Sequence, residues 1–110
     1  MSDKFFGLVS ISRKAGKLIY GFDAVKDTVY SGEAQLVLYA QDVSQRTRDS
    51  MDKVLDTGNE PPRTLATHLT MYDYAQICGK ATGVLAVTDA GLAAALSKVF
   101  AETSGDQREE

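Results

Sequence analysis

The stretch Arg13-Lys14-Ala15-Gly16-Lys17-Leu18-Ile19-Tyr20-Gly21-Phe22-Asp23 crowds three cations and two glycines around a change of periodicity. Such a combination suits an anion, because the charges attract it and a backbone without side chains lets it come close. Lys17 to Tyr20 reads as a short extended piece, and the chain then turns at Gly21 into a helical pattern with Phe22, Val25 and Val29 on one face. A helix N-terminus at Gly21 to Ala24 offers unpaired backbone N–H groups and the positive end of the helix dipole, both favourable to phosphate. RNA or DNA backbone is the commonest partner of that kind. A second role is open to Arg13 and Lys14, which also suit the C-terminal end of a preceding helix. Gly79-Lys80-Ala81-Thr82-Gly83 forms a further flexible loop, either a helix stop and turn or a neighbour of the first site.

Other chemistries find little support. His68 and Cys78 are single representatives of their types and the carboxylates show no ligand spacing, so neither a metal nor another cofactor is expected. His68 follows Thr67 at the end of an extended segment and reads as a surface or capping residue. Cys78 falls on the apolar side of a helix and reads as a small buried hydrophobe. Gly16-Lys17 and Gly79-Lys80 resemble the end of a phosphate loop. That motif needs a glycine where Ile11 and Tyr74 stand, and a Ser or Thr where Leu18 and Ala81 stand. A dinucleotide fingerprint fails as well, since Gly79 to Gly83 precedes a strand and lacks the third glycine. With no nucleophile, base and orienter brought together, neither catalysis nor a small-molecule substrate is expected.

The elements that must position these residues follow from capping and periodicity. Ser2 and Asp3 suit the cap of a first helix carrying Phe5, Leu8 and Val9 on one face, stopped by Gly16. The helix after Gly21 closes at Gly32. Gln35 to Ala40 is a continuous apolar run too short for a typical helix, which predicts a central strand covered on both faces. Asp42 and Ser44 introduce a third helix with Met51, Val54 and Leu55 inward, ended by Gly58, and Glu60-Pro61-Pro62 breaks the chain. Arg63 to Thr67 reads as a strand. Thr70 and Asp73 have capping-box spacing ahead of a short helix that buries Tyr74, Ala75, Ile77 and Cys78 and stops at Gly79. Gly83 to Thr88 is another apolar strand, and Asp89 caps a final helix with Leu92, Leu96, Val99 and Phe100 at helical spacing. This alternation predicts an α/β fold, a three-layer α/β/α sandwich around one mostly central, four-stranded sheet.

A chain of 110 residues makes one small domain, expected over residues 1–101, with an acidic and frayed tail over 102–110. A net charge of −3 by itself disfavours nucleic acid, but the tail accounts for all of it: Glu102, Asp106, Glu109 and Glu110 against Arg108. The body is neutral, so the distribution of charge matters more than its total. A lone cysteine points to a reducing compartment, by default the cytoplasm. No apolar run approaches the ~18 residues of a membrane-spanning helix, and no membrane partner is expected.

A family resemblance rests on further segments. Lys17-Leu18-Ile19-Tyr20-Gly21, Gly32 to Leu38 with Ala40-Gln41-Asp42-Val43-Ser44, and Gly79-Lys80 ahead of the strand ending Val87-Thr88-Asp89 resemble the ribosomal-protein L-seven-Ae/L-thirty-e superfamily. Ser12 to Lys17 and Thr88-Asp89-Ala90-Gly91 are most similar to its small bacterial YlxQ-like branch. The similarity covers about residues 5 to 100. It implies a non-enzymatic RNA-binding protein, associated with ribosomes or another structured RNA. In many members the target is a kink-turn, a sharply bent internal loop with tandem sheared G·A pairs.

The family signature opens the second helix as Gly, any residue, Asn, Glu, two residues, Lys. Gly21 matches; the Asn position falls on Asp23, the Glu position on Ala24 and the Lys position on Asp27. Asp only accepts hydrogen bonds, Ala offers a base edge nothing, and Asp27 repels phosphate. Lys26 lies about 100° around the helix from position 27 and does not simply replace that cation. The resemblance therefore implies a phosphate-facing surface at Arg13, Lys14, Lys17, Gly21 and Lys26, with Gly16, Asp23 and Lys80 as further RNA-binding candidates. Phe22 has two open roles, packing into the domain or stacking on an unpaired base. The competing expectation is a protein-interaction module that keeps the fold and has lost RNA recognition.

Overall fold

The computed structural model describes residues 3–57 and 61–108, the side chains of 103–108 excepted. Its elements follow the order α1 (Lys4–Lys14), β1 (Leu18–Tyr20), α2 (Phe22–Tyr30), β2 (Leu36–Tyr39), α3 (Gln45–Asp56), β3 (Arg63–Ala66), α4 (Met71–Cys78), β4 (Val84–Val87) and α5 (Ala90–Arg108). The four strands form one sheet in the order β1-β4-β2-β3. β4 runs antiparallel to both β1 and β2, whereas β2 and β3 are parallel neighbours joined through α3.

Strand alternation divides the core in two. Leu36, Leu38, Leu85, Val87, Leu18 and Leu65 point to one face, where they meet Phe5 and Val9 of α1, Tyr74 and Cys78 of α4, and Ala93 and Leu96 of α5. Val37, Tyr39, Val84 and Ala86 point to the other, against Val25 of α2 and Met51, Val54 and Leu55 of α3. The result is the three-layer sandwich that the pattern predicts. All four residues of both β2 and β4 are buried, which is why these strands read as unbroken apolar runs. β3 lies at the edge and buries only Leu65, so its remaining side chains are free to be polar.

Local caps set the boundaries. The Asp3 carboxylate accepts from the Phe6 N–H at 3.1 Å, Ser44 caps α3, and Thr70 and Asp73 form a reciprocal capping box on α4. The carboxylate of Asp89 accepts from the Leu92 N–H at 2.8 Å, opening α5. Ser2, Gly58, Glu60, Glu109 and Glu110 lie outside the described residues, and with them the expected roles of Ser2 as a cap, Gly58 as a stop and Glu60 in the break. Thr57 caps the C-terminus of α3. The helical backbone of α5 continues past Glu102 to Arg108, where polar composition points to fraying. Propagating an existing helix costs far less than starting one.

Candidate nucleic-acid interface

β1 separates the candidate residues into two groups. Lys17 precedes the strand and Gly21 follows it, so their Cα atoms are held about 13 Å apart by four residues of extended chain. At the first end, the Lys17 N–H donates to the Ser12 carbonyl at 2.9 Å and its own carbonyl accepts from the Thr88 N–H at 3.0 Å. These bonds fix the Lys17 backbone between α1 and the end of β4, while the side chains of Lys14 and Lys17 face solvent and Gly16 is exposed in the turn.

At the second end, antiparallel pairing of β1 with β4 places Gly21 beside the connection from α4 to β4. The Gly21 N–H donates to the Val84 carbonyl and to Thr82 Oγ1, both at 3.1 Å. Thr82 Oγ1 in turn donates to the Val84 carbonyl at 3.0 Å. The loop 79–83 is thereby a neighbour of the α2 N-terminus, one of the two placements open from the sequence. The Gly21 N–H itself is engaged within the sheet, so it is not among the unpaired groups expected there. Those begin at Phe22, because the first N–H groups of a helix have no intrahelical partner and α2 has no side-chain cap.

Gly21 has φ 95° and ψ 146°, a backbone region reserved essentially for glycine, and this geometry turns β1 into α2. Phe22 packs, partly buried, against the Val25–Met51–Val54 cluster. Asp23 and Asp27 are exposed, and Lys26 is half-buried. Lys80 and Ala81 are exposed between two fixed points. Gly79 takes the left-handed conformation at φ 88° to end α4, and a Cβ on Gly83 would come within 2.6 Å of Val43 Cγ2.

Arg13 connects the two groups. Its guanidinium lies 5.6 Å from the centroid of the Tyr20 ring, and its charge acts on the Cys78 thiol at the end of α4. Burial raises the Cys78 pKa, with Arg13 opposing, so the thiol stays protonated as the buried hydrophobe that its position on α4 predicts. None of Arg13, Lys14, Lys17, Lys26 or Lys80 forms an ion pair among the described residues, where the pair within bonding distance is His68 Nε2 with Asp3 Oδ2 at 2.8 Å. His68 is accordingly a surface residue tied to the start of α1, its ring beside Phe5. Among the described residues no carboxylate holds these cations, which suits them to an outside anion. The part played by Thr82 within the 79–83 loop has no local signal in the sequence, because only the pairing of β1 with β4 brings it to Gly21.

The family model described as "Ribosomal protein L7Ae/L30e/S12e/Gadd45 family" matches residues 3–97. Among solved structures, a protein of unknown function from Bacillus halodurans superposes with a TM-score of 0.75 at 21% identity, covering 90% of this chain and 98% of that one. The Giardia lamblia 15.5kD RNA binding protein superposes with a TM-score of 0.66 at 13% identity, covering 96% of this chain and 92% of that one. Comparison with curated protein sequences gives no match. At these identities the two structures are relatives in fold.

Proposed function

The chain belongs to the ribosomal protein L7Ae/L30e/S12e/Gadd45 family, and from that premise we propose that it is a non-catalytic RNA-binding protein that holds structured RNA by its phosphates. One observation carries the reading to a place on the molecule. The uncapped start of α2 and the loop bearing Lys80 are joined at Gly21, with cations flanking them that no carboxylate among the described residues neutralises.

Arg13, Lys14, Lys17, Lys26 and Lys80 supply charge, and Gly16 and Gly21 allow close approach. Phe22, packed in the domain, fixes the direction of α2 and leaves base stacking to other groups. Asp23 accepts a hydrogen bond from a base amine or a ribose hydroxyl but donates none. The target is a kink-turn-like RNA, met in the cytoplasm and on ribosomes, as the similarity of Ser12 to Lys17 and Thr88 to Gly91 to the bacterial YlxQ-like branch implies. Residues 1–101 form the binding unit and 102–110 an acidic appendage. With Asp23, Ala24 and Asp27 in the signature positions, recognition relies on phosphate and shape more than on base edges.

Gel-shift titrations of the purified chain against kink-turn, duplex and single-stranded RNA test this reading. Micromolar or tighter binding, strongest for the kink-turn, is expected; binding that tight to none of the three overturns it. A second reading, a protein-interaction module, draws on the exposed carboxylates of Asp23 and Asp27, which no cation pairs among the described residues. Copurification of a protein partner from nuclease-treated lysate, together with absent RNA binding, favours that alternative.

A further inference from the structure

The geometry points to Thr82 as a positioning residue of the RNA surface, whose hydroxyl locks the Lys80 loop to the first turn of α2. The inference rests on the function proposed above. Thr82 is 5% exposed, too buried to meet RNA itself, yet its hydroxyl is fully used. It accepts from the Gly21 N–H at 3.1 Å and donates to the Val84 carbonyl at 3.0 Å. Gly21 is the turn between β1 and α2 and Val84 opens β4; besides the direct bond between these two backbones, one small side chain ties the loop to both where they reach the proposed surface.

The rest of the loop is held elsewhere. The Gly83 carbonyl accepts from the Ala40 N–H at 2.9 Å, Gly83 lies tight against Val43, and Gly79 ends α4. These contacts anchor the loop to the segment just after β2 and to α4. Among the loop's side chains, Thr82 alone makes a hydrogen bond to the α2 side within the described residues. A phosphate gripped jointly by Lys80 and the α2 N–H groups gains from a fixed separation between them, because the ordering cost is met before binding. Valine in place of Thr82 keeps the shape and removes both hydrogen bonds; serine keeps the hydroxyl.

The test compares wild type, Thr82→Val and Thr82→Ser, measuring affinity for a kink-turn RNA by titration and the hydrogen exchange of the Gly21 amide without RNA. In Thr82→Val, binding weakens by about five- to tenfold, as expected for one hydrogen bond, while Gly21 exchange accelerates by less, about two- to threefold, because its N–H keeps the bond to the Val84 carbonyl. Thr82→Ser stays within about twofold of wild type in both, on the same ground that its hydroxyl bonds persist. Normal affinity in a folded Thr82→Val protein overturns the inference, as does unchanged exchange at Gly21. If wild type binds no RNA, the proposed function fails and the surface role of Thr82 fails with it. Wild-type binding that Thr82→Val leaves unaltered removes the inference alone.

Discussion

Gly21 is the residue whose backbone matters most to the candidate site. Its φ of 95° is uncrowded, with no atom within 4 Å of where a Cβ would stand, so substitution acts through backbone strain alone. Gly21→Ala is expected to destabilise the fold by roughly 1–3 kcal/mol, read as a lower midpoint in urea, and to weaken RNA binding by shifting the start of α2. Stability equal to wild type would show that the turn tolerates a side chain. Cys78 offers a second check. Burial raises its pKa and keeps the thiolate scarce near neutral pH, so its reaction with a thiol-specific disulfide reagent should be slow and should accelerate as pH rises well above about 8.5. Fast reaction at pH 7 in the folded protein contradicts that environment. Both residues are conspicuous in the sequence as types, but their settings are not: the bond from Gly21 to Thr82 joins residues far apart in the chain.

Caps decide where the helices begin, and two of them make quantitative predictions. Thr70→Ala removes the side chain that accepts from the Asp73 N–H at 3.1 Å and breaks the capping box, at an expected cost of about 1 kcal/mol. Asp3 caps α1 and pairs with His68. Burial works to raise its carboxyl pKa but is outweighed by the bonds from His68 and the Phe6 N–H, and the net shift is downward. A carboxyl with a lowered folded pKa adds stability above its unfolded pKa, and this is lost as pH falls through the folded value. Wild type should therefore lose a small increment below about pH 4 that Asp3→Asn lacks, measurable as converging urea midpoints. Parallel curves would remove Asp3 from acid stability. Most elements were legible because their signals are local: capping residues, glycine stops, and apolar runs for β2 and β4. The course of α5 beyond Glu102 was not, since polar composition alone does not distinguish a solvated helix from a frayed end. Nor was the split of the basic stretch, which depends on β1 running between Lys17 and Gly21.

Across the whole molecule, the direction of α5 leads its backbone away from the basic end of α1. That helix starts where Thr88 binds Lys17 and reaches Phe5, at the opposite end of α1, with Phe100, the two rings 6.1 Å apart. The backbone after Phe100 thus continues from the end of α1 remote from Arg13, Lys14 and Lys17. Charges on the surface interact over only about 10 Å at 0.1 M salt, so removing residues 103–110 is expected to change RNA affinity by less than about twofold. A large gain on removal would mean that the acidic residues reach the site. The central claim is that the cations beside β1 and α2 hold RNA phosphate, and salt dependence tests it most directly. Affinity for a kink-turn RNA, measured across a salt series for wild type, Lys17→Glu and Lys80→Glu, should fall with salt in every case. Each variant should bind more weakly than wild type, with a slope of log K against log salt shallower by about one for each lost phosphate contact. Affinity and slope unchanged in both variants would contradict the account.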